Sequence, residues 1–287
     1  MSSANEESIK LEHGSGGHLS RWLVEEVIYP VFKSEAYTHL GDSSRLSIQG
    51  IPFFTTDTYV VDPPFFPGGD IGKLAVFGTC NDLAVAGARP RYLSLGFILE
   101  EGFPLEHLRA VLSSIARAAE EAEVAIVTGD TKVVPRGKGG GIYINSSGIG
   151  EQEEVSGLTG ERISPGDRVI ITGPVGEHGI AVMAKREGLS VAEALTSDCA
   201  PLYPLLEPLF SLGQDLRFLR DATRGGVAAI VNEVVAGTGL GIEVSEDAVP
   251  IAEKVRSVAE ILGLNPLEVA NEGVAVCVVA PSAEERT

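Results

Sequence analysis

The sequence predicts an α/β protein of two domains, and three observations carry that expectation. Apolar runs of strand length alternate with amphipathic stretches of helical period along the chain. Glycine and proline turns punctuate the junctions, and several of those turns carry an aspartate. Between Glu151 and Asp167 the chain becomes polar and turn-rich, EQEEVSGLTGERISPGD, which marks a domain boundary. A length of 287 residues suits one large or two ordinary domains, and 44% hydrophobic content excludes a disordered acidic chain.

Residues 1 to 10 read as a loose, polar tail. The segment EHGSGGHLS, Glu12 to Ser20, follows, and Leu19, Trp22, Leu23, Val27 and Ile28 then form an amphipathic helical stretch. Gly14, Gly16 and Gly17 beside Ser15 would let backbone N–H groups approach a phosphate, although Gly-Ser runs also serve as plain linkers. Ile51 to Phe54 and Tyr59 to Val61 read as strand, with Asp57 between them. A proline-stiffened loop (Pro63, Pro64, Pro67) and Gly68-Gly69 lead into a helix from about Asp70 to Ala86.

At 100° per residue, Ile71, Leu74, Ala75, Gly78, Asp82, Val85 and Ala86 share one face of that helix. A carboxylate in such a stripe is costly unless paired, hydrogen-bonded, bound to a metal or facing a polar cleft. Asp82 is therefore a candidate functional group, or else a buried aspartate satisfied by backbone amides.

Pro90 to Glu100 reads as a strand, and Pro104 starts a helix with a core stripe of Leu105, Leu108, Val111, Leu112, Ile115 and Ala119. A short strand, Val124 to Val127, ends at Thr128-Gly129-Asp130-Thr131-Lys132, where open α/β folds place ligand chemistry. A plain Gly-Asp turn with a solvated lysine is the alternative there. Beyond the glycine-rich loop Pro135 to Gly141, strand character resumes over Ile142 to Ile149.

The second half opens with a strand at Arg168 to Thr172. Helices follow near Glu177 to Glu187 and Pro201 to Leu212. Asp221-Ala222-Thr223-Arg224-Gly225-Gly226 leads into a helix over Val227 to Ala236 and a Gly237/Gly239/Gly241 turn. A strand at Ile242 to Val244, a helix at Ile251 to Leu262, Asn271-Glu272-Gly273 and a strand at Val274 to Val279 complete the expected order.

A net charge of −18 argues against a broad nucleic-acid or anionic-membrane surface. No apolar run reaches transmembrane length and the first ten residues do not resemble a signal peptide, so a cytoplasmic protein is expected. Cys80, Cys199 and Cys277 are scattered singly and read as small core residues. Several motifs fail: the P-loop lacks its first glycine and its Ser/Thr around Gly72-Lys73, no GxSxG is present, and no His-Cys cluster suggests zinc. What remains is a distributed set, Asp57, Asp82, Asp130 and Asp221 with Lys132 and Glu272. Carboxylates from separate elements suit hard cations, and a lysine among them suits phosphate, so the residues point to Mg²⁺-nucleotide phosphoryl chemistry.

These stretches also carry a resemblance. HGSGG (13–17), the run Thr56 to Gly102, IVTGDTKVV (126–134), SDCA (197–200), RDATRGG (220–226) and ANEG (270–273) are similar to the HypE family of hydrogenase maturation proteins. That family belongs to the ATP-using superfamily of aminoimidazole ribonucleotide synthetase and selenophosphate synthetase. The resemblance implies a PurM-like α/β (α+β) fold of mixed sheets flanked by helices. It would comprise an N-terminal segment (1–40), an ATP-binding and dimerisation domain (41–155) and a second domain (163–287).

It implies a homodimer that binds ATP and Mg²⁺ in a cleft lined by both domains and works with the carbamoyltransferase HypF and the HypC–HypD scaffold. The implied reaction is dehydration of a cysteine S-carboxamide to a thiocyanate, the source of cyanide for the hydrogenase iron. Asp57, Asp82, Asp130 and Asp221 are implied as metal and phosphate residues, joined at ATP by Thr131, Lys132, Gly14, Gly16 and Gly17. Lys132 would stabilise the transferring group, Glu272 and Asp82 would accept protons, and His13 to Gly17 would form a mobile cover.

The family's reactive cysteine lies in a Pro-Arg-Ile-Cys tail that these residues do not include, so the second domain is expected to be incomplete at its C-terminus, with an exposed apolar edge. A selenophosphate synthetase-like enzyme would want a cysteine and a lysine in the N-terminal glycine segment, where Ser15 stands and Leu11 to Pro30 holds no lysine. A non-catalytic scaffold for the maturation partners is the other alternative.

Overall fold

Side-chain alternation along Pro52–Tyr59 (β1) turns Phe53, Thr55, Asp57 and Tyr59 inward and leaves Phe54, Thr56 and Thr58 in solvent. The structure, a computed structural model, describes residues 7–32, 43–152, 157–236 and 238–287. Most of the expected N-terminal tail, the stretch 33–42, residues 153–156 of the expected boundary and Gly237 of the expected turn lie outside the described residues.

The chain divides into two compact units. One comprises Met1–Phe65, Asp70–Thr79 and Pro90–Glu151, the other Phe66–Gly69, Cys80–Arg89 and Gln152–Thr287. No helix among the described residues is long and apolar enough to cross a membrane.

The first unit is built on a four-stranded mixed sheet. Its strands are β1, β4 (Ala88–Glu100), β5 (Ala125–Val134) and β6 (Ile142–Gln152), in the order β1-β6-β4-β5. β1 runs antiparallel to β6 and β4 runs parallel to β5. Two short strands, β2 (Phe65–Phe66) and β3 (Gly69–Asp70), pair across the proline loop and deliver the chain into helix α3 (Ile71–Val85).

Asp70 caps α3, its Oδ1 accepting the N–H groups of Gly72 and Lys73 at 2.7 and 3.1 Å. Helix α4 (Leu105–Glu121) buries the expected stripe, Leu105 through Ala119. Before them, the chain winds as an α-helix over His18–Trp22 (α1), opens to a π winding over Leu23–Ile28 and closes again over Tyr29–Phe32 (α2).

The second unit carries a three-stranded antiparallel sheet, β7 (Arg168–Ile171), β8 (Leu216–Asp221) and β9 (Ala275–Val279), with β9 in the centre. Every residue of β9 is buried. Ala275, Cys277 and Val279 join one core cluster with Leu206, Leu209 and Phe210 of helix α6 (Tyr203–Phe210). Val276 and Val278 join another with Val227 and Ile230 of helix α7 (Gly226–Glu233). A strand sandwiched in this way reads as a continuous apolar run. Helices α5 (Glu177–Arg186) and α8 (Glu253–Leu262) share a third cluster through Ile180, Ala184, Val255 and Val258.

Five local expectations change. The described end of the expected loose tail is held in place: Ile9 is buried, its N–H donates to the Phe103 carbonyl at 2.8 Å and its carbonyl accepts the Gly102 N–H at 2.7 Å. The helix expected to bury one stripe is buried on nearly all sides: of Ile71–Val85, only Lys73 and Asp82 are not fully buried. Strand β5 does not stop at Val127 but continues to Val134, because β4 supplies a parallel partner for every residue from Thr128 onward. Asp130 and Lys132 thus stand on a strand, not in a turn after it. β8 had no expectation of its own, since Arg217 and Arg220 break its apolar pattern. Ile242 to Val244 makes no ladder among the described residues; Val244 is 46% exposed, and so short a run with no buried face has nothing to hold it as a strand.

Candidate functional site

In the first unit the site is organised by β5. Its register with β4 shifts by one residue between Leu93 and Ser94, so that Val127 is the extra residue of a bulge. Gly129 follows, where an added Cβ would stand 2.4 Å from the Leu95 carbonyl oxygen. Asp130 and Lys132, two positions apart, project to the same face. The Lys132 Nζ donates to both Asp130 oxygens, at 2.9 and 2.6 Å.

That bond, above all, together with the Thr131 N–H and the lysine charge, holds the Asp130 carboxyl below the usual range. Both side chains are largely exposed, 69% for Asp130 and 64% for Lys132.

The glycine segment lies against this strand. A turn over Leu11–Gly14 brings Gly14 so close that an added Cβ would meet the Val133 backbone nitrogen at 2.7 Å. Only glycine permits that approach. The segment is tied by its own bonds: Lys10 N–H to His13 Nδ1 at 2.9 Å, Gly16 N–H to Ser20 Oγ at 2.8 Å, and Ser20 Oγ–H to the Glu12 carbonyl at 3.0 Å.

Between turn and strand lies a cavity of about 250 Å³. Gly14, Gly16, Asp130, Thr131 and Lys132 line it together with the apolar Val24, Ile28, Phe32 and Phe97. A mixed lining of apolar side chains and a few polar groups is the make-up of a small-molecule pocket. Gly17, expected with its neighbours, does not line it; it sits at the start of α1, where its carbonyl accepts the Arg21 N–H at 3.1 Å.

Asp57 stands on β1 opposite Ser146 of β6. Two strands, β6 and β4, separate β1 from β5. At roughly 4.8 Å per strand spacing, this sets the β1 and β5 backbones about 14 Å apart across the sheet.

In the second unit, Asp82, Asp221 and Glu272 are linked through the backbone by two buried asparagines next to them in sequence. Asn271, fully buried, accepts the Gly176 N–H at 2.7 Å and donates from Nδ2 to the Ala222 carbonyl at 2.9 Å. Its own N–H also reaches the Ala222 carbonyl, at 2.9 Å. Asn81 donates to the carbonyls of Ala200 (3.0 Å) and Glu272 (3.1 Å) and accepts the Leu202 N–H at 2.7 Å.

Asp221 ends β8, Glu272 precedes β9, and Asp82 occupies a half-buried position of α3. Asp198 accepts the N–H groups of both Glu272 and Gly273. Burial pushes the Asp198 carboxyl up to about 6 against the pull of those bonds. Burial lowers neighbouring His178 to about 4, so its ring is neutral at pH 7; its Nδ1 lies 2.9 Å from Ser197 Oγ.

Among the described residues no three His, Cys, Asp or Glu side chains converge on a metal-sized point. The four aspartates therefore do not form a ready-made cage. This donor set fits Mg²⁺, which keeps several waters and takes one or two carboxylates beside substrate phosphates. The three cysteines are buried, and burial raises the Cys80 thiol far above its ordinary value and that of Cys277 to about 11. None has the exposure of a reactive thiolate.

Residues 45–152 match the family described as AIR synthase related protein, N-terminal domain, and residues 164–287 its C-terminal domain. The carbamoyl dehydratase HypE of Azotobacter vinelandii is 44% identical over 273 residues, which cover 94% of this chain and 80% of that protein. The chain belongs to the HypE family.

Among solved HypE structures, one in complex with ATP has a TM-score of 0.92 at 45% identity, covering 96% of this chain and 82% of that one. A HypE–HypF complex has a TM-score of 0.80 at 46% identity, covering 92% and 86% respectively. The two-domain PurM-like fold is thus that of the HypE family.

The asparagines and Asp198 were not among the expected site residues. Asn81 could have been suspected on the grounds that singled out Asp82, since an amide in an apolar helix carries the same kind of desolvation cost.

Proposed function

We propose that the chain is an ATP-dependent carbamoyl dehydratase of hydrogenase maturation, converting a cysteine S-carboxamide into a thiocyanate. The observation that carries this reading is the cavity of about 250 Å³ lined by Gly14 and Gly16 of the glycine turn and by Asp130, Thr131 and Lys132 of β5, in a chain of this family. A HypE structure in complex with ATP supports the choice of nucleotide.

An amide oxygen is a poor leaving group. Transfer of a phosphoryl group onto it converts that oxygen to phosphate. The C–O bond then breaks, phosphate departs with the oxygen, and the nitrogen gives up both protons as the C≡N bond forms. ATP becomes ADP and phosphate.

Lys132, held in place by Asp130 until phosphate competes for it, would stabilise charge on the transferring group. Thr131, Gly14 and Gly16 would contact the nucleotide. Glu272 would take the amide protons, with Asp82 as its companion. Bound Mg²⁺ ions would neutralise phosphate charge, and Asp57, Asp82, Asp130 and Asp221 are the candidate carboxylates, of which each ion would take one or two.

Since Cys80, Cys199 and Cys277 are buried, the sulfur is supplied in the test by an S-carbamoylcysteine peptide ending Pro-Arg-Ile-Cys. ATP and Mg²⁺ should yield ADP, phosphate and a peptide lighter by one water. Hydrolysis of ATP with no change in peptide mass would sink the proposal.

The HypE–HypF complex supports HypF as a partner, and the HypC–HypD scaffold is the expected acceptor of the cyanide. We also propose a homodimer through β1, one of the two terminal strands of its sheet among the described residues, where Phe54 and the flanking Ile51 and Val60 are 69, 62 and 64% exposed. Three large apolar side chains beside an open edge favour pairing with a second strand. Phe54→Lys should shift the mass found by light scattering from dimer to monomer. A wild-type protein that is monomeric at the same concentration would refute the dimer.

A further inference from the structure

We infer that Asp198 and Asn81 are positioning residues for Glu272, clasping its backbone so that its carboxylate is presented in one place. This rests on the role proposed for Glu272. The Asp198 carboxylate accepts the Glu272 N–H at 3.2 and 3.1 Å and the Gly273 N–H at 3.0 Å. On the other side, the Glu272 carbonyl accepts from Asn81 Nδ2 at 3.1 Å and from the Ala200 N–H at 3.3 Å. Both the N–H and the C=O of Glu272 are therefore held, one by a carboxylate and the other by a buried amide.

The fit leaves no room for adjustment. A Cβ on Gly273 would stand 2.0 Å from the Asp198 carbonyl oxygen, so the turn closes this tightly only with glycine there. Asn81 is itself fixed, since its Oδ1 accepts the Leu202 N–H at 2.7 Å and its Nδ2 also reaches the Ala200 carbonyl at 3.0 Å. Hydrogen bonds to a carboxylate are stronger than neutral ones, which suits Asp198 to hold two adjacent amides.

Glu272 is only half-buried, and a glutamate side chain has several rotatable bonds. With its backbone fixed, fewer placements remain for the proton-accepting oxygen. A displacement of about 1 Å at a reacting group can cost on the order of a hundredfold in rate.

The test is a double-mutant cycle on the full chain with ATP, Mg²⁺ and the S-carbamoylcysteine peptide. Asp198→Asn keeps the shape but gives up one acceptor, and it should lower kcat by about ten- to a hundredfold while the KM for ATP stays within about threefold. In a Glu272→Gln background the same change should cost less than about threefold, because there is no base left to position.

An unaltered kcat in Asp198→Asn, or an equal loss in both backgrounds, overturns the inference. Full activity of Glu272→Gln removes the role of Glu272 and the inference with it, a result distinguishable from failure of the clasp alone. Should Asp198→Asn not fold, amide hydrogen exchange in the unmodified protein decides. Glu272 and Gly273 should be protected by about a hundredfold or more, and unprotected exchange overturns the clasp.

Discussion

Lys132→Ala should leave the protein folded and lower its ATP turnover by about 10²- to 10³-fold, the cost of removing one donor aimed at developing charge. The two halves of this expectation have separate causes. Lys132 pairs with Asp130 in solvent, and an exposed pair contributes about 0–1 kcal/mol, so thermal unfolding should hardly move. On the proposed role, bound nucleotide would displace water from the same ammonium, where its charge would count for more. Unchanged turnover in the purified variant would remove Lys132 from the mechanism. A large fall in unfolding temperature would instead show that the pair is structural.

Asn271→Ala should be the most destabilising of the site substitutions. It deletes the partner of the buried Gly176 N–H and one of the donors to the Ala222 carbonyl. An unsatisfied buried polar group costs about 1–3 kcal/mol, so a loss of about 3 kcal/mol is expected, read as a lower urea midpoint with unchanged slope. Turnover should fall as well, since Ala222 follows Asp221 and Asn271 precedes Glu272. A loss below about 1 kcal/mol would mean that water replaces the amide and that the link is dispensable.

What the sequence made legible was local. The core stripe of α4 and the apolar run of β9 follow from spacing, and the Gly-Asp-Thr-Lys run announced itself by residue type. What stayed hidden depends on partners distant in sequence. β5 continues to Val134 because β4 lies beside it, and no property of residues 128–134 alone distinguishes that from a turn. Asp198 and Asn81 meet Glu272 across 74 and 191 positions, beyond any local pattern. Gly17 was grouped with Gly14 by composition, yet only Gly14 presses against β5. The four aspartates looked alike as a set, whereas the strand order separates Asp57 from Asp130.

The bulge at Val127 has an evolutionary consequence. In a regular strand, gaining or losing one residue sends every later side chain to the opposite face. Here Ile126 already pairs with Leu93 and Thr128 with Ser94, so Val127 stands outside the count. A relative lacking that one residue would keep Asp130 opposite Gly96 and Lys132 opposite Ile98. Strand length can thus drift at this position across a lineage while Asp130 and Lys132 keep their side of the sheet.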